Sequence, residues 1–127
     1  MKIFYWSPFI SKVATVLSVV KSAESILKYN KKKEAINVEL IDAIGEWENY
    51  ESKINPKIEI IKLNEINFLK YLPKGGFIKS RISYLFIFIF NFFKLRNLLN
   101  KKKPEYLIVH LMTSLPIFLS IMLKNKT

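Results

Sequence analysis

A chain of 127 residues suits one domain with a core of its own and leaves little room for a second. Half of the residues are hydrophobic, which excludes a disordered chain; the absence of cysteine excludes disulfides, thiol nucleophiles and thiolate metal sites. Twenty-one Lys and Arg against ten Asp and Glu leave a formal charge of +11, so an anionic partner is expected: phospholipid, nucleic acid or a phosphorylated small molecule.

The first stretch, KIFYWSPFI (residues 2–10), is aromatic and β-rich, and Pro8 limits a strand to about Trp6. It carries no signal-peptide pattern, so the chain is expected to start in the cytoplasm. Over residues 14–29 the apolar side chains Val16, Leu17, Val20, Ala23 and Leu27 follow the helical period, and a lysine-rich run suits the carboxyl end of the helix dipole. INVELID (36–42) alternates and reads as a second strand, ended by Gly45. EWENYESKINP (46–56) reads as a polar connection with a short helix, and KIEIIKL (57–63) as a third strand. Strand, helix, strand, connection, strand is the order of an α/β unit with a parallel sheet. A turn at Pro73-Lys74-Gly75-Gly76 opens a long segment over 78–99, stopped by Lys101-Lys102-Lys103-Pro104. YLIVH (106–110) reads as a short buried strand, and SLPIFLSIML (114–123) as a helix with Ser114 as N-cap and Pro116 in its first turn.

The 78–99 segment is the least ordinary. A membrane span needs about 20 mostly apolar residues. Only twelve lie between Arg81 and Lys94, and Asn91 interrupts them. Spanning and burial beneath the sheet remain alternatives, but a helix lying on a membrane surface is the preferred reading. Tyr84, Phe86, Phe88, Phe90 and Phe93 would enter the acyl boundary. Lys74, Lys79, Arg81, Lys94, Arg96 and the lysines at 101–103 would meet anionic headgroups. Nucleic acid is not expected. Arg81 and Arg96 are the only arginines, base readers lean on arginine, and the aromatics form one block rather than alternating with charge.

A parallel α/β sheet places its ligand crevice at the carboxyl ends of the strands. Two segments are expected there: SPFISKVAT (7–15) after the first strand and HLMTS (110–114) after the fourth. The first contains neither GxGxxG nor GxxxxGK[ST], so no dinucleotide or P-loop chemistry is expected from it. Its small residues, Ser11, Ala14 and Thr15, open a helix whose amide end suits an anion. His110, the chain's single histidine, reads either as a packed core residue or as a catalytic group at the strand's end. No metal is expected, since no second His or Cys exists to share one. Glu105 lies at the other end of the strand, so a glycosidase-like carboxylate pair is not expected. Thr113 and Ser114 are candidates for contact with a substrate hydroxyl or phosphate, although capping explains Ser114 equally well.

MKIFYWSPFISKVATVLSVVKSAESI resembles the opening of family-4-type glycosyltransferases of GT-B fold. LPKGGFIKSRISYLFIFIF and KPEYLIVHLMTSLPIFLSIML are similar to bacterial members that build surface polysaccharide. The resemblance covers essentially the whole chain and corresponds to the amino-terminal, acceptor-side domain. It implies an incomplete Rossmann-like parallel sheet with flanking helices. It also implies that His110 lies beside the transferred sugar as a catalytic residue, and that Ser11, Lys12, Val13, Ala14 and Thr15 lie near donor diphosphate and acceptor. Val13-Ala14 stands where the family often has Gly-Gly or Gly-Thr, a departure that narrows backbone approach to phosphate. The resemblance implies a retaining transfer from a nucleotide-sugar donor to a lipid-linked or polysaccharide acceptor, at the cytoplasmic face of the membrane. No cofactor besides the donor is implied. The second, donor-binding domain has no counterpart in these residues, so this chain by itself is expected to be an inactive amino-terminal fragment. The alternative is a small, non-enzymatic, membrane-associated basic protein.

Overall fold

In the computed structural model, β1 (Lys2–Trp6), β2 (Asn37–Asp42), β3 (Glu59–Lys62) and β4 (Tyr106–Val109) form one sheet in the order β3-β2-β1-β4. The structure describes residues 1–10, 14–30, 35–73 and 75–110. All three pairings are parallel: Ile3 lies against Val38 on one side and Tyr106 on the other, and Glu39 lies against Glu59. This is the mixed α/β, Rossmann-like arrangement expected from the element order. The helix expected over 114–123 lies outside the described residues.

The central strands are buried on both faces, which explains why β1 and β2 are apolar along most of their length rather than strictly alternating. Alternate residues serve two cores. Ile3, Tyr5, Val38 and Leu40 face α1 (Ala14–Lys28), whose Val16, Val19 and Ala23 recur at helical spacing. Trp47, Ile54 and Ile58, from the connection between β2 and β3, close the same core. Its irregular part is a 3-10 helix at Glu48–Lys53, within the connection read from sequence.

Phe4, Trp6 and Ile41 face α2 (Phe77–Lys102) on the other side. This helix is rich in Phe and Ile, whose χ1 restriction makes them mediocre helix formers, so packing must supply much of its stability. It opens after Gly76, at a φ of 78° that favours glycine. It closes on Lys103, a left-handed residue whose N–H reaches the Leu99 carbonyl, and Pro104 prevents continuation. Ser83, Ile87, Asn91 and Leu95, spaced by four, are its fully buried stripe. Two of these are polar, and both are satisfied. Ser83 Oγ donates to the Pro73 carbonyl at 2.6 Å. Asn91 accepts from Asn64 Nδ2 at 2.6 Å and donates to the Ile87 carbonyl at 2.9 Å, while Lys94 Nζ caps the Asn64 oxygen. Asn64 also donates to the Ala43 carbonyl, so one polar chain ties α2 to the ends of β2 and β3.

Near its carboxyl end, Lys102 turns inward. Its Nζ sits 2.8 Å from the buried Glu39 carboxylate, which Asn37 also supports at 2.9 Å. Of the lysines expected to face headgroups, Lys102 is thus engaged with the sheet, because a buried carboxylate on β2 requires a cation. Lys74 lies outside the described residues.

Candidate functional site at the carboxyl edge of the sheet

Because every strand is parallel, Trp6, Asp42, Lys62 and Val109 end on one edge. After β1 the chain turns to the α1 face, whereas β4 is reached from α2 on the opposite face. The order β3-β2-β1-β4 makes the β1–β4 edge the strand-order switch point, where parallel α/β folds place their ligands.

His110 follows β4 directly at this point. Its N–H donates to the Trp6 carbonyl at 3.3 Å, extending the ladder by one residue. Its half-buried imidazole lies on the α1 side, 6.3 Å from the Tyr5 ring and tilted to it by 57°. Tyr5 is held in turn by a 2.7 Å hydrogen bond between its hydroxyl and Ser22 Oγ on α1. An imidazole at this strand end can donate or accept a hydrogen bond. Ala14 and Thr15 begin α1, which starts from the same edge. Ser11, Lys12, Val13, Thr113 and Ser114 lie outside the described residues.

Sequence reasoning missed three polar groups on this edge. Ser7 Oγ, at the end of β1, is 2 % exposed and has no hydrogen-bond partner among the described residues. Asp42 and Glu46 form a buried carboxyl pair. Asp42 Oδ1 accepts from Gly45 N at 2.6 Å, and the Glu46 oxygens accept from Ala43 N and Ile44 N at 3.0 and 2.8 Å. Gly45 has a φ of +91°, and a Cβ there would meet the Asn67 side chain at 2.6 Å, so only glycine suits the turn. Burial, then the neighbouring charge and hydrogen bond of Asp42, hold the Glu46 carboxyl well above the ordinary glutamate range, against the two amides that favour its charged form. Asp42 Oδ2 has no hydrogen-bond partner among the described residues. The legible signal was an acid, Asp42, closing an apolar strand three residues before a glycine; that Glu46 turns inward was not legible, because the surrounding sequence is polar.

This pair has a consequence for stability. Below the ordinary glutamate range both folded and unfolded chains carry the proton, and nothing is lost. As pH rises the unfolded chain ionises first, and stability falls until the folded carboxyl also titrates, by up to about 1.4 kcal/mol per pH unit. In Glu46→Gln that decline is removed. Urea unfolding between mildly acidic and neutral pH measures it, and equal slopes in both proteins would show that Glu46 folds already ionised.

Most of the aromatic and basic residues expected on α2 stand on its outward side, but the helical period divides them. Phe86, Phe90 and Phe93 are exposed, as are Lys79 and Arg81. Tyr84 and Phe88 are half-buried towards the sheet instead. The Phe88 ring lies 6.3 Å from Trp6, and burial raises the Tyr84 phenol, whose oxygen meets the backbone of Ile10. Arg81 stacks on Phe77 at 4.0 Å, Lys94 lies 5.4 Å from the centre of the Phe90 ring, and Arg96 is half-buried. By length and composition α2 is apolar enough to cross a membrane; in this fold one stripe of it is instead committed to the sheet.

Comparison with protein-family models, curated proteins and solved structures gives no match. The class is therefore defined by the fold alone: an open, all-parallel α/β unit of Rossmann-like order. Its candidate site is the β1–β4 edge carrying His110.

Proposed function

We propose that this chain is the acceptor-side unit of a glycosyltransferase working on an anionic membrane surface. Sugar passes from a nucleotide donor to a lipid-linked acceptor held at the β1–β4 crevice. One observation carries the reading: the strand end bearing His110 and the start of the aromatic-basic helix α2 share one edge of the sheet. Helix α2 runs antiparallel to the strands, so its first turns lie at their carboxyl ends, where Tyr84 meets Ile10. An acceptor anchored in lipid would thus present its sugar end to the crevice without leaving the surface. His110 would hydrogen-bond the sugar and support charge developing at the anomeric carbon.

Membranes from cells expressing the gene at its own locus, supplied with radiolabelled nucleotide sugars, test this. Label extracted with lipid is expected, and His110→Ala should lower it about a hundredfold, the scale of one lost transition-state hydrogen-bond donor. Unchanged labelling would remove the assignment of His110. A second reading, a non-enzymatic membrane-associated basic protein, is favoured by the exposed apolar face of α2, which does not depend on the crevice. Vesicle binding without any sugar transfer would select it.

A further inference from the structure

The outward half of α2 is not a uniform surface. Between its second and third turns and the segment that precedes it lies a groove of about 290 Å³, walled by Phe68, Tyr71, Leu72, Ile82, Ser83 and Phe86. That is near the lower size of cavities that hold small ligands. Of its two hydroxyls, Ser83 Oγ is already spent on the Pro73 carbonyl and that of Tyr71 belongs to an exposed side chain at the mouth, so the inner walls offer an occupant chiefly apolar contact. Phe68 and Phe86 both pack on Phe90, at ring separations of 5.1 and 5.4 Å, which stiffens one side. Around the mouth, Tyr71, Ile82 and Phe86 stay exposed, although apolar residues of this size are normally covered. Lys79 precedes Ser83 by one turn on the same helix face, and Lys70 adjoins Tyr71; both are exposed.

We propose that this groove takes one hydrocarbon tail of an anionic, phosphate-bearing lipid, drawn from the leaflet on which α2 rests. An apolar slot with exposed lysines beside it matches a molecule with an apolar tail and an anionic head. A polar peptide would leave its backbone groups unpaired in such walls, at a cost the groove cannot offset. The groove lies on the α2 face of the sheet, formed by the segment after β3 and the early turns of α2. The proposal rests on the membrane-surface reading above and adds to it the place where the lipid anchor of the acceptor is held.

The test uses the whole chain on phosphatidylglycerol vesicles doped with a phosphatidic acid carrying a photoreactive diazirine at the end of one acyl chain, with cross-linked residues mapped by mass spectrometry. Expected are adducts on residues 68–72 and on Ile82. In Ile82→Trp, which fills the groove from an exposed position, vesicle binding persists while those adducts fall about tenfold, the change that 1.4 kcal/mol produces. Adducts confined to Phe77, Ile78 and Phe93 on bound protein would overturn the groove and leave the membrane reading intact. Adducts of equal yield from a neutral diacylglycerol bearing the same chain would overturn the requirement for an anionic head. Absence of vesicle binding would overturn both proposals.

Discussion

On the proposed membrane-surface reading, serine at Phe86, Ile89 and Phe93 together is expected to lower partitioning onto anionic vesicles by about three orders of magnitude, roughly 4 kcal/mol, with little change in thermal stability. These side chains are 43 %, 61 % and 69 % exposed, so the fold gains little from them. An apolar side chain of this size gives about 1.5–3 kcal/mol when fully removed from water. Part of each is already covered by the helix, and the three together account for the figure. Cations contribute on the order of 1 kcal/mol each near an anionic surface, and at high salt that share is screened. Vesicle co-sedimentation at two salt concentrations separates the two contributions. If the triple variant bound as well as the parent, this face would not meet lipid.

Leu95→Ala, on the opposite stripe of the same helix, costs about 2–5 kcal/mol of folding stability, as large-to-small changes in a packed core do. Leu95 is 0 % exposed among Phe4, Trp6 and Ile41 in the α2-facing core. Ile87→Ala belongs to the same class at 1 % exposure. Ile89→Ala, two residues on and facing outward, should cost within about 0.5 kcal/mol. Urea titration of the three variants therefore reads the orientation of α2 directly. A helix free to leave the sheet and cross a bilayer would show no such contrast. Equal costs at positions 87, 89 and 95 would dissolve the docked arrangement.

Much of the architecture was legible. β1 ends at Trp6 as Pro8 requires, and α1 occupies the periodic stretch. β2 and β3 fall within the alternating segments, and β4 stops one residue before His110. Strand edges shifted by a residue or two because pairing, not pattern, sets where a ladder ends. The face of α2 was a different matter. Its centre is apolar all round, so no stripe outweighs its opposite, and the pattern ranks surface attachment and burial without dividing the helix between them. Tyr84 and Phe88 went to the sheet and Phe86 and Phe93 to the outside because Ser83 found the Pro73 carbonyl and Asn91 found Asn64. Those polar pairs fit this rotation of the helix, in which both Ser83 and Asn91 find partners. The polar residue that broke the apolar run in sequence is the one that orients it in space.

The sequence by itself determined the local elements, the parallel α/β class and the arrival of His110 at a strand end, since these follow from periodicity, turn residues and element order. Only the tertiary structure decided the order β3-β2-β1-β4, which puts His110 beside Trp6 at the strand-order switch point. It alone turned Glu46 inward onto Asp42 and Lys102 onto Glu39, and it alone formed the groove between Phe86 and Tyr71. The reason is the same in each case. Periodicity records which residues share a face, whereas partners distant in the chain are set by the burial and hydrogen bonds that all elements must satisfy together.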